Sequence, residues 1–356
     1  MFVYVGTYTT PPDGCGEGIY VYQFDAEMGA LSLVQTVTGI VSPSFLTTSP
    51  DHQQLYAVSE SDGGQVYAYD RNPRTGELTA LNSQPTYGAA PCYVSTDPSG
   101  AVVFIANYNG GNVASYPLLT NGRINPAASV IDHVGTSVNP TRQREPHPHM
   151  ILPSPDGRFA LATDLGIDRV MIYEVDGSTG ELRPNTQGPT FATVPPGSGP
   201  RHFAFSPTGR VVYVINELIS SVTVFSYDHT TAAMDELQTI STLPDDFTGE
   251  SYCAHIVVSP DGRFVYGSNR YHDSIAIFAV TASDGTLTPI AYEPTGGKTP
   301  RNFSFDLSSN WLLAANQDSD TIVTFRRDLD AGTLTATGQV THVPNPVAVL
   351  FVPEES

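Results

Sequence analysis

Five side chains in this sequence are suited to acid–base chemistry on a small anionic ligand. Histidine exchanges a proton near neutral pH, and a glutamate carboxylate can accept one from water. Arginine makes paired hydrogen bonds to phosphate or carboxylate groups. The candidates for proton transfer are His149 and Glu217, and the candidates for binding the ligand are Arg201, Arg270 and Arg301.

A repeated tight turn fixes where these five residues lie along the chain. A strand-like run follows each turn, and a second turn of the form Gly-x-Leu recurs later in the repeat, as at Gly76-Glu-Leu78. The unit is therefore four short antiparallel strands in about 50 residues, which is the length of a propeller blade. The first turn reads Ser-Pro-Asp-Gly or a close variant at 49–51, 97–100, 154–157, 206–209, 259–262 and 306–309, at intervals of 48, 57, 52, 53 and 47 residues.

The two ends of the chain supply the parts of one further unit. The chain opens on Phe-Val-Tyr-Val-Gly-Thr-Tyr, which matches a second strand, and residues 344–352 match a first strand. Pairing residues 346–351 with residues 2–6 would close the ring and remove two exposed sheet edges. The sequence predicts an all-β, seven-bladed propeller with four antiparallel strands per blade, formed by residues 1–356 as a single domain.

Comparison of the repeats separates scaffold positions from positions available for chemistry. Proline stands six residues before the turn in most repeats, and Ser, Asn or Asp stands ten residues after it, which is typical of structural positions. The residue after the proline varies between repeats, and so does the residue after the Ser, Asn or Asp. Antiparallel pairing of the first and second strands brings both variable positions to the same mouth of the propeller. The variable positions are Ser44, Cys92, His149, Arg201, Ala254 and Arg301 before the turn, and Glu60, Tyr108, Leu165, Glu217, Arg270 and Gln317 after it.

These side chains also have structural interpretations. An arginine beside a glutamate at a strand end is commonly a structural ion pair. His147, His149 and the nearby Glu145 could instead be metal ligands, but the sequence shows no recognisable spacing for further ligands, and the three arginines would oppose a cation. We expect no metal and no cofactor. His202 and His255 stand one position further along and are expected to face a neighbouring blade.

The composition excludes several classes of partner. Sixteen basic residues against 36 acidic ones give a net charge of −20, which opposes binding to nucleic acid or to an anionic membrane surface. The acidic balance is compatible with a saline habitat or with ordinary solubility. The three cysteines form no disulfide framework, and the N-terminus lacks the pattern of a secretion signal. These features predict a cytoplasmic protein, and they leave its oligomeric state open.

The motifs together resemble the seven-bladed β-propeller lactonase family. The resemblance covers essentially the whole chain and rests on the repeated turns and on the segments Pro148-His-Met-Ile, Gly199-Pro-Arg-His, Asn216-Glu-Leu, Ser268-Asn-Arg and Asn316-Gln. The resemblance implies site residues at His149, Arg201, Glu217 and Arg270, which the repeats also select. One departure is Val257, where many members of the family carry a histidine.

The resemblance implies hydrolysis of a sugar lactone, with 6-phosphogluconolactone of the pentose phosphate pathway as the expected substrate. In that reaction Glu217 or His149 would deprotonate water and the other would protonate the ring oxygen. Arg201, Arg270, Arg301 and Gln317 would bind the substrate. Three alternatives remain open: lactonisation of the carboxy-cis,cis-muconate cyclase type, a calcium-dependent gluconolactonase-like propeller, and a noncatalytic interaction propeller.

Overall fold

The computed structural model describes residues 1–12 and 14–354, which form seven antiparallel β-sheets arranged as the blades of a propeller. Six sheets have four strands each, and the blade built from both chain ends pairs Phe2 with Val352 and Gly6 with Ala348. The predicted seven-bladed fold and its closure are therefore confirmed. Blades are numbered here by their turns in chain order, so the closing blade is blade 7.

Each blade except blade 7 takes its strands from one continuous stretch of chain. Blade 7 contains β1 (Phe2–Thr7), β2 (Ile19–Asp25), β3 (Ala30–Val37) and, as its inner strand, β29 (Pro346–Val352). Blade 1 contains β4 (Leu46–Thr48), β5 (Gln54–Ser59), β6 (Gln65–Arg71) and β7 (Leu78–Pro85). Blade 2 contains β8 (Pro91–Thr96), β9 (Val102–Asn107), β10 (Asn112–Pro117) and β11 (Ser129–Asp132).

The remaining blades follow the same order from the inner to the outer strand. Blade 3 contains β12 (Pro148–Pro153), β13 (Phe159–Asp164), β14 (Arg169–Val175), β15 (Leu182–Pro184) and β16 (Phe191–Thr193). Blade 4 contains β17 (Pro200–Phe205), β18 (Val211–Asn216), β19 (Ser221–Tyr227) and β20 (Met234–Ser241). Blade 5 contains β21 (Tyr252–Val258), β22 (Phe264–Arg270), β23 (Ser274–Val280) and β24 (Leu287–Pro294). Blade 6 contains β25 (Pro300–Phe305), β26 (Trp311–Asn316), β27 (Thr321–Arg327) and β28 (Leu334–His342).

Blade 3 departs from the four-stranded pattern because its outer strand is broken into two pieces. Both β15 and β16 pair with β14. Pro184 ends β15 and Pro189 lies in the intervening segment, and both lack the N–H that a continuous outer strand would need. The interruption lies at the outer edge of the blade, away from its inner strand.

Hydroxyl groups join neighbouring blades at the Gly-x-Leu turns. In six of the blades, a side chain of the preceding blade donates a hydrogen bond to the carbonyl oxygen of the turn glycine. Together with apolar clusters between adjacent sheets, such as the one around Val3, Trp311 and Phe351, these bonds hold the blades at a fixed angle. The donor–acceptor pairs are Tyr4–Gly76, Tyr56–Gly122, Ser115–Gly180, Tyr213–Gly285, Tyr266–Gly332 and Thr324–Gly29.

The described residues contain almost no helix. The helical element assigned in residues 1–12 and 14–354 is a short 3₁₀ turn, Gln317–Ser319, which directly follows β26. Across those same residues, no helix is long and apolar enough to span a membrane.

Candidate active site

A β-bulge near the start of the inner strand aims one side chain of most blades into the central mouth. In blade 3 Pro148 pairs with Asp164 and Met150 pairs with Thr163, so His149 is the extra residue. The same shift leaves Arg201 as the extra residue in blade 4 and Arg301 in blade 6. A bulge redirects side chains at the point where regular pairing is interrupted. The variable position before the turn is therefore a bulge position.

The scaffold asparagines fix the far end of the second strand. The side-chain amide of Asn269 donates to the carbonyl oxygen of Thr242, and that of Asn316 donates to Thr295. Both acceptors lie in the loop that leads into the same blade, so the loop and the strand end are held together. The following residue, Arg270 or Gln317, is thereby placed at the mouth.

Glu217 lies at the centre of a group of three arginines. Its Oε1 is 2.7 Å from Nη2 of Arg142, and its Oε2 is 2.9 Å from Nη2 of Arg270. The Nε of Arg201 is 3.0 Å from the same Oε2, although its N–H is not aligned for a hydrogen bond. Burial alone would raise the pKa of Glu217, but Arg270 and Arg201 outweigh it and hold that pKa well below its usual range. Glu217 is therefore a buried, permanently ionised counterion.

The repeat comparison did not identify Arg142 because this residue lies outside the repeated positions. It belongs to the loop between β11 and β12, where Gln143 is fully buried and donates to Asp168 and to the carbonyl oxygen of Leu165. This anchor presents Arg142, which also donates to the hydroxyl of Tyr108 at 3.0 Å. The signal in the sequence is the interval of 57 residues between the second and third turns, the longest of the five.

His149 is a buried, neutral imidazole. Its Nδ1 lies 3.5 Å from the Sγ of Cys92, and its ring meets those of Tyr108 and His202 edge-on. Burial and the charge of Arg201 lower the pKa of His149 well below its ordinary value. This direction differs from the expectation that His149 exchanges protons with a half-point near neutral pH. Burial raises the pKa of the Cys92 thiol, so its sulfur is not a thiolate nucleophile.

Arg301 is the arginine of the site that has no carboxylate partner. Its guanidinium lies over the ring of Tyr8, 5.2 Å from the centroid, and it makes no hydrogen bond or ion pair to any residue in the described ranges. The hydroxyl of Tyr8 donates to Oε1 of Glu60 at 3.1 Å. Tyr8 follows β1 of the closing blade, so it occupies in blade 7 the position that Glu60 and Gln317 occupy in theirs.

Two connected cavities occupy the mouth. The arginine cavity, of about 180 Å³, is lined by Glu60, Cys92, Tyr108, Arg142, His149, Glu217, Arg270 and Arg301. The outer cavity, of about 610 Å³, is lined by Glu60, Arg301, Gln317, Tyr8, Thr10, Val41, Ser42, Ser61, Asp62, Ala90 and Asn109. Glu60 and Arg301 line both. The structure thus brings His149, Glu217, Arg270 and Arg301 to one cavity, places Arg201 against Glu217, and places Gln317 in the adjoining cavity.

His202 of blade 4 and His255 of blade 5 face each other across neighbouring blades, as expected, and they also reach the central channel. Their Nδ1 atoms are 2.9 Å apart, and the ring of His202 also contacts Phe45 and Tyr93 from blades 1 and 2. These contacts place the pair in the central channel, below the mouth. Burial, together with Arg201, lowers the pKa of His255 to about 3, so the pair shares one N–H between two neutral rings.

The metal interpretation of His147 and His149 finds no complete ligand set. His147 stacks on Tyr108, and its Nδ1 lies 3.0 Å from the carbonyl oxygen of that residue. Within residues 1–12 and 14–354 there is no group of three or more His, Cys, Asp or Glu side chains that could hold a metal ion.

We expect replacement of Glu217 by glutamine to destabilise the protein as well as to inactivate it. The variant would leave three guanidiniums without their counterion, and loss of one partner of a buried ion pair costs about 3 kcal/mol or more. Because folding lowers the pKa of Glu217, its contribution to stability is complete above the ordinary carboxyl pKa and is lost as the pH falls from that value through the lower pKa of the folded protein. Thermal melts of both proteins should therefore differ most above about pH 5 and converge in acid.

Glu181→Gln is the matched control, because Glu181 pairs with Arg183 on the exposed outer face. The control should melt like the wild type at every pH. If Glu217→Gln does so too, Glu217 is not the counterion of this cluster.

Known proteins resemble this chain along nearly its whole length. Residues 2–351 match the family described as lactonase, seven-bladed β-propeller. The chain is 38% identical over 351 residues to the 6-phosphogluconolactonase of Bacillus subtilis, covering 98% of this chain and 97% of that protein. It is 33% identical over 338 residues to the 6-phosphogluconolactonase of Formosa agariphila, covering 93% and 94%. Among solved structures, the periplasmic gluconolactonase of Pseudomonas aeruginosa matches with a TM-score of 0.93 at 33% identity, covering 99% of each chain.

Proposed function

Because this chain belongs to the seven-bladed β-propeller lactonase family and is a lactone-hydrolysing enzyme, we propose that its substrate is 6-phosphogluconolactone. The product is then 6-phosphogluconate, and the reaction is the hydrolytic step of the pentose phosphate pathway. The names of the relatives from Bacillus and Formosa support this substrate. A cytoplasmic location, where that pathway operates, stays part of the proposal.

The observation that carries the proposal is an excess of positive charge at the mouth. Four guanidiniums, those of Arg142, Arg201, Arg270 and Arg301, face three carboxylates, those of Glu60, Asp62 and Glu217. The whole chain carries a net charge of −20, so this local reversal of sign favours an anionic ligand over a neutral or cationic one. A phosphorylated lactone has that charge.

His149 is the proposed general base. Cys92 lies against Nδ1, which leaves the other ring nitrogen for the arginine cavity. A water oxygen attacks the lactone carbonyl carbon while its proton passes to this imidazole nitrogen. The carbon–ring oxygen bond then breaks, and the imidazolium returns the proton to the departing alkoxide. The resulting carboxylic acid loses its own proton to solvent.

Arg270 is the proposed donor to the carbonyl oxygen. Its Nη2 is engaged by Glu217 and by the carbonyl oxygen of Cys253, but its buried Nε–H has no acceptor among the described residues. A guanidinium N–H held in place beside the reacting carbon stabilises negative charge as it develops there. Glu217 holds this arginine and its two neighbours in position and does not itself take the proton.

Arg301 is the proposed partner of the substrate phosphate, since its guanidinium lines both cavities and forms no ion pair with a carboxylate of the described residues. We expect the wild-type enzyme to hydrolyse 6-phosphogluconolactone with a kcat/KM at least about tenfold above that for glucono-δ-lactone. Arg301→Gln should abolish that preference, because a charge-assisted hydrogen bond to phosphate contributes on this scale. Steady-state kinetics on both lactones measure this preference. We expect inorganic phosphate to act as a competitive inhibitor.

Arg74→Gln, on an exposed turn of blade 1, is the control and should retain the wild-type preference. Equal kcat/KM values for the two lactones in the wild type would contradict the phosphorylated substrate, while lactone hydrolysis as such would stand.

A further inference from the structure

Two buried oxygen acceptors in the outer cavity have no hydrogen-bond donor. They are Oε2 of Glu60 and Oε1 of Gln317, and no described residue of the protein donates to either one. Leaving a buried acceptor unpaired is costly, so in folded proteins such an acceptor usually takes its hydrogen from ordered water or from a bound ligand. The outer cavity therefore needs donors from outside the protein.

The side chain of Glu60 and the backbone of Gln317 are held in place by other hydrogen bonds. The carboxylate of Glu60 accepts from Tyr8 at Oε1, and its backbone N–H donates to the carbonyl oxygen of Ser42 at 3.0 Å. The backbone N–H of Gln317 donates to the carbonyl oxygen of Thr299, also at 3.0 Å. These contacts fix the two residues on blades 1 and 6, on either side of blade 7. The carboxylate of Glu60 is thus preorganised, and the backbone of Gln317 is anchored on the other side of the same space.

The ligand group that fits this space both donates and accepts hydrogen bonds. An ionised carboxylate or phosphate offers only acceptors and has no hydrogen to donate to Glu60 or Gln317. Two neighbouring alcohols can donate one hydrogen each, one to Glu60 and one to Gln317, while an alcohol oxygen accepts from Arg301, the donor that lines the same cavity. Several adjacent alcohols are the feature that a sugar lactone has and a simple lactone lacks.

We infer that Glu60 and Gln317, supported by Tyr8, form a subsite that recognises the hydroxyl groups of a polyhydroxylated lactone. This inference rests on the proposed function, and it adds to it a selectivity for hydroxylated lactones over lactones without hydroxyl groups. The anionic group of the substrate stays beside Arg301 and the arginine cavity, and the hydroxylated part extends into the outer cavity. A lactone bearing several carboxylates in place of hydroxyls should fit poorly, which argues against lactonisation of carboxy-cis,cis-muconate at this site.

The test compares glucono-δ-lactone with δ-valerolactone, which has the same ring without hydroxyl groups. Gln317→Met keeps the length of the side chain and removes its acceptor. We expect this variant to lower the ratio of kcat/KM for glucono-δ-lactone to kcat/KM for δ-valerolactone by about tenfold or more. A site built to hydrogen-bond a hydroxyl discriminates strongly through that bond. Glu60→Gln, which keeps an oxygen for Tyr8, should lower the same ratio.

Gln339→Met is the matched control, because Gln339 lies on the outer strand of the same blade as Gln317. The control should keep the wild-type ratio. If the Gln317 and Glu60 variants slow both lactones equally, or change neither rate, the two residues do not recognise hydroxyls and the inference is overturned.

A binding measurement separates this inference from the proposed hydrolysis. Gluconate and 5-hydroxypentanoate, the two ring-opened products, are titrated calorimetrically into each folded variant, whose fold is checked by its melting temperature. Tighter binding of gluconate to the wild type, lost in Gln317→Met, supports the subsite even if no lactone is hydrolysed. Equal or absent binding of the two products by the wild type overturns the subsite even if hydrolysis is found.

Discussion

A chain that ends at Val343 is expected to lose its cooperative thermal unfolding and to aggregate. The deleted segment contains β29, the inner strand of the closing blade, which pairs with β1 from Phe2↔Val352 to Thr7↔Pro346. Without it, β1 becomes an exposed edge with unpaired backbone groups, which is a template for association with other chains. Blade 6 would also lose a contact, since the backbone N–H of Val349 donates to the side chain of Asn302.

Circular dichroism melts and size-exclusion chromatography measure this effect. A chain that ends at Pro353 is the control, because it keeps all of β29 and also the carbonyl oxygen that accepts from the buried Arg71. It should melt close to the full-length protein. The proposed role of closure is wrong if the chain that ends at Val343 remains monomeric and melts at the full-length temperature.

The fold could be predicted from the sequence because the chain repeats itself. Six copies of one turn show which residue types each position requires, and the two ends of the chain could be matched to the repeat. The pairing of Pro148 with Asp164 and of Pro300 with Asn316 follows from that comparison. The position of His149 between a constant proline and a regular strand also follows, although the bulge itself is not readable from residue types.

The residues that the comparison missed lie where the repeat is interrupted. Arg142 is carried by a loop that has no counterpart in the other blades, so no other copy shows it to be a site residue. Tyr8 lies in the blade assembled from both chain ends. Its first and second strands are not joined by a turn, so the position of Tyr8 cannot be counted from one. Both still reach the mouth, because loops between blades and the ends of second strands share one side of the propeller.

The electrostatic properties of the site could not be predicted because they depend on burial and on distances between blades. From residue types alone Glu217 is as good a base as His149. In the structure three arginines from different segments surround the carboxylate, which holds its charge firmly and makes it a poor proton acceptor. Burial beside Arg201 lowers the pKa of His149 as well, so this imidazole is neutral and is also a weakened base. It differs from Glu217 because its Nδ1 lies against Cys92 and no described arginine is hydrogen-bonded to its ring.

Replacement of His149 by asparagine is expected to lower kcat by at least about a hundredfold, the usual scale for loss of a positioned base. Because the pKa of His149 is lowered well below 6.5, its base form is present throughout the neutral range. The kcat/KM of the wild type should therefore be flat from about pH 6 to 8, and it should fall only when acid protonates the imidazole. The variant should lack that acidic limb.

His229→Asn, on an exposed turn of blade 4, is the control and should keep both the rate and the pH profile of the wild type. A wild-type limb centred near pH 6.5 that disappears in His149→Asn would show that this imidazole titrates normally and that its burial does not keep it neutral. A variant that folds and retains near wild-type kcat would remove His149 from proton transfer. The water would then need another acceptor in the arginine cavity, and Glu60, which is not held by the three arginines around Glu217, is the carboxylate to test next.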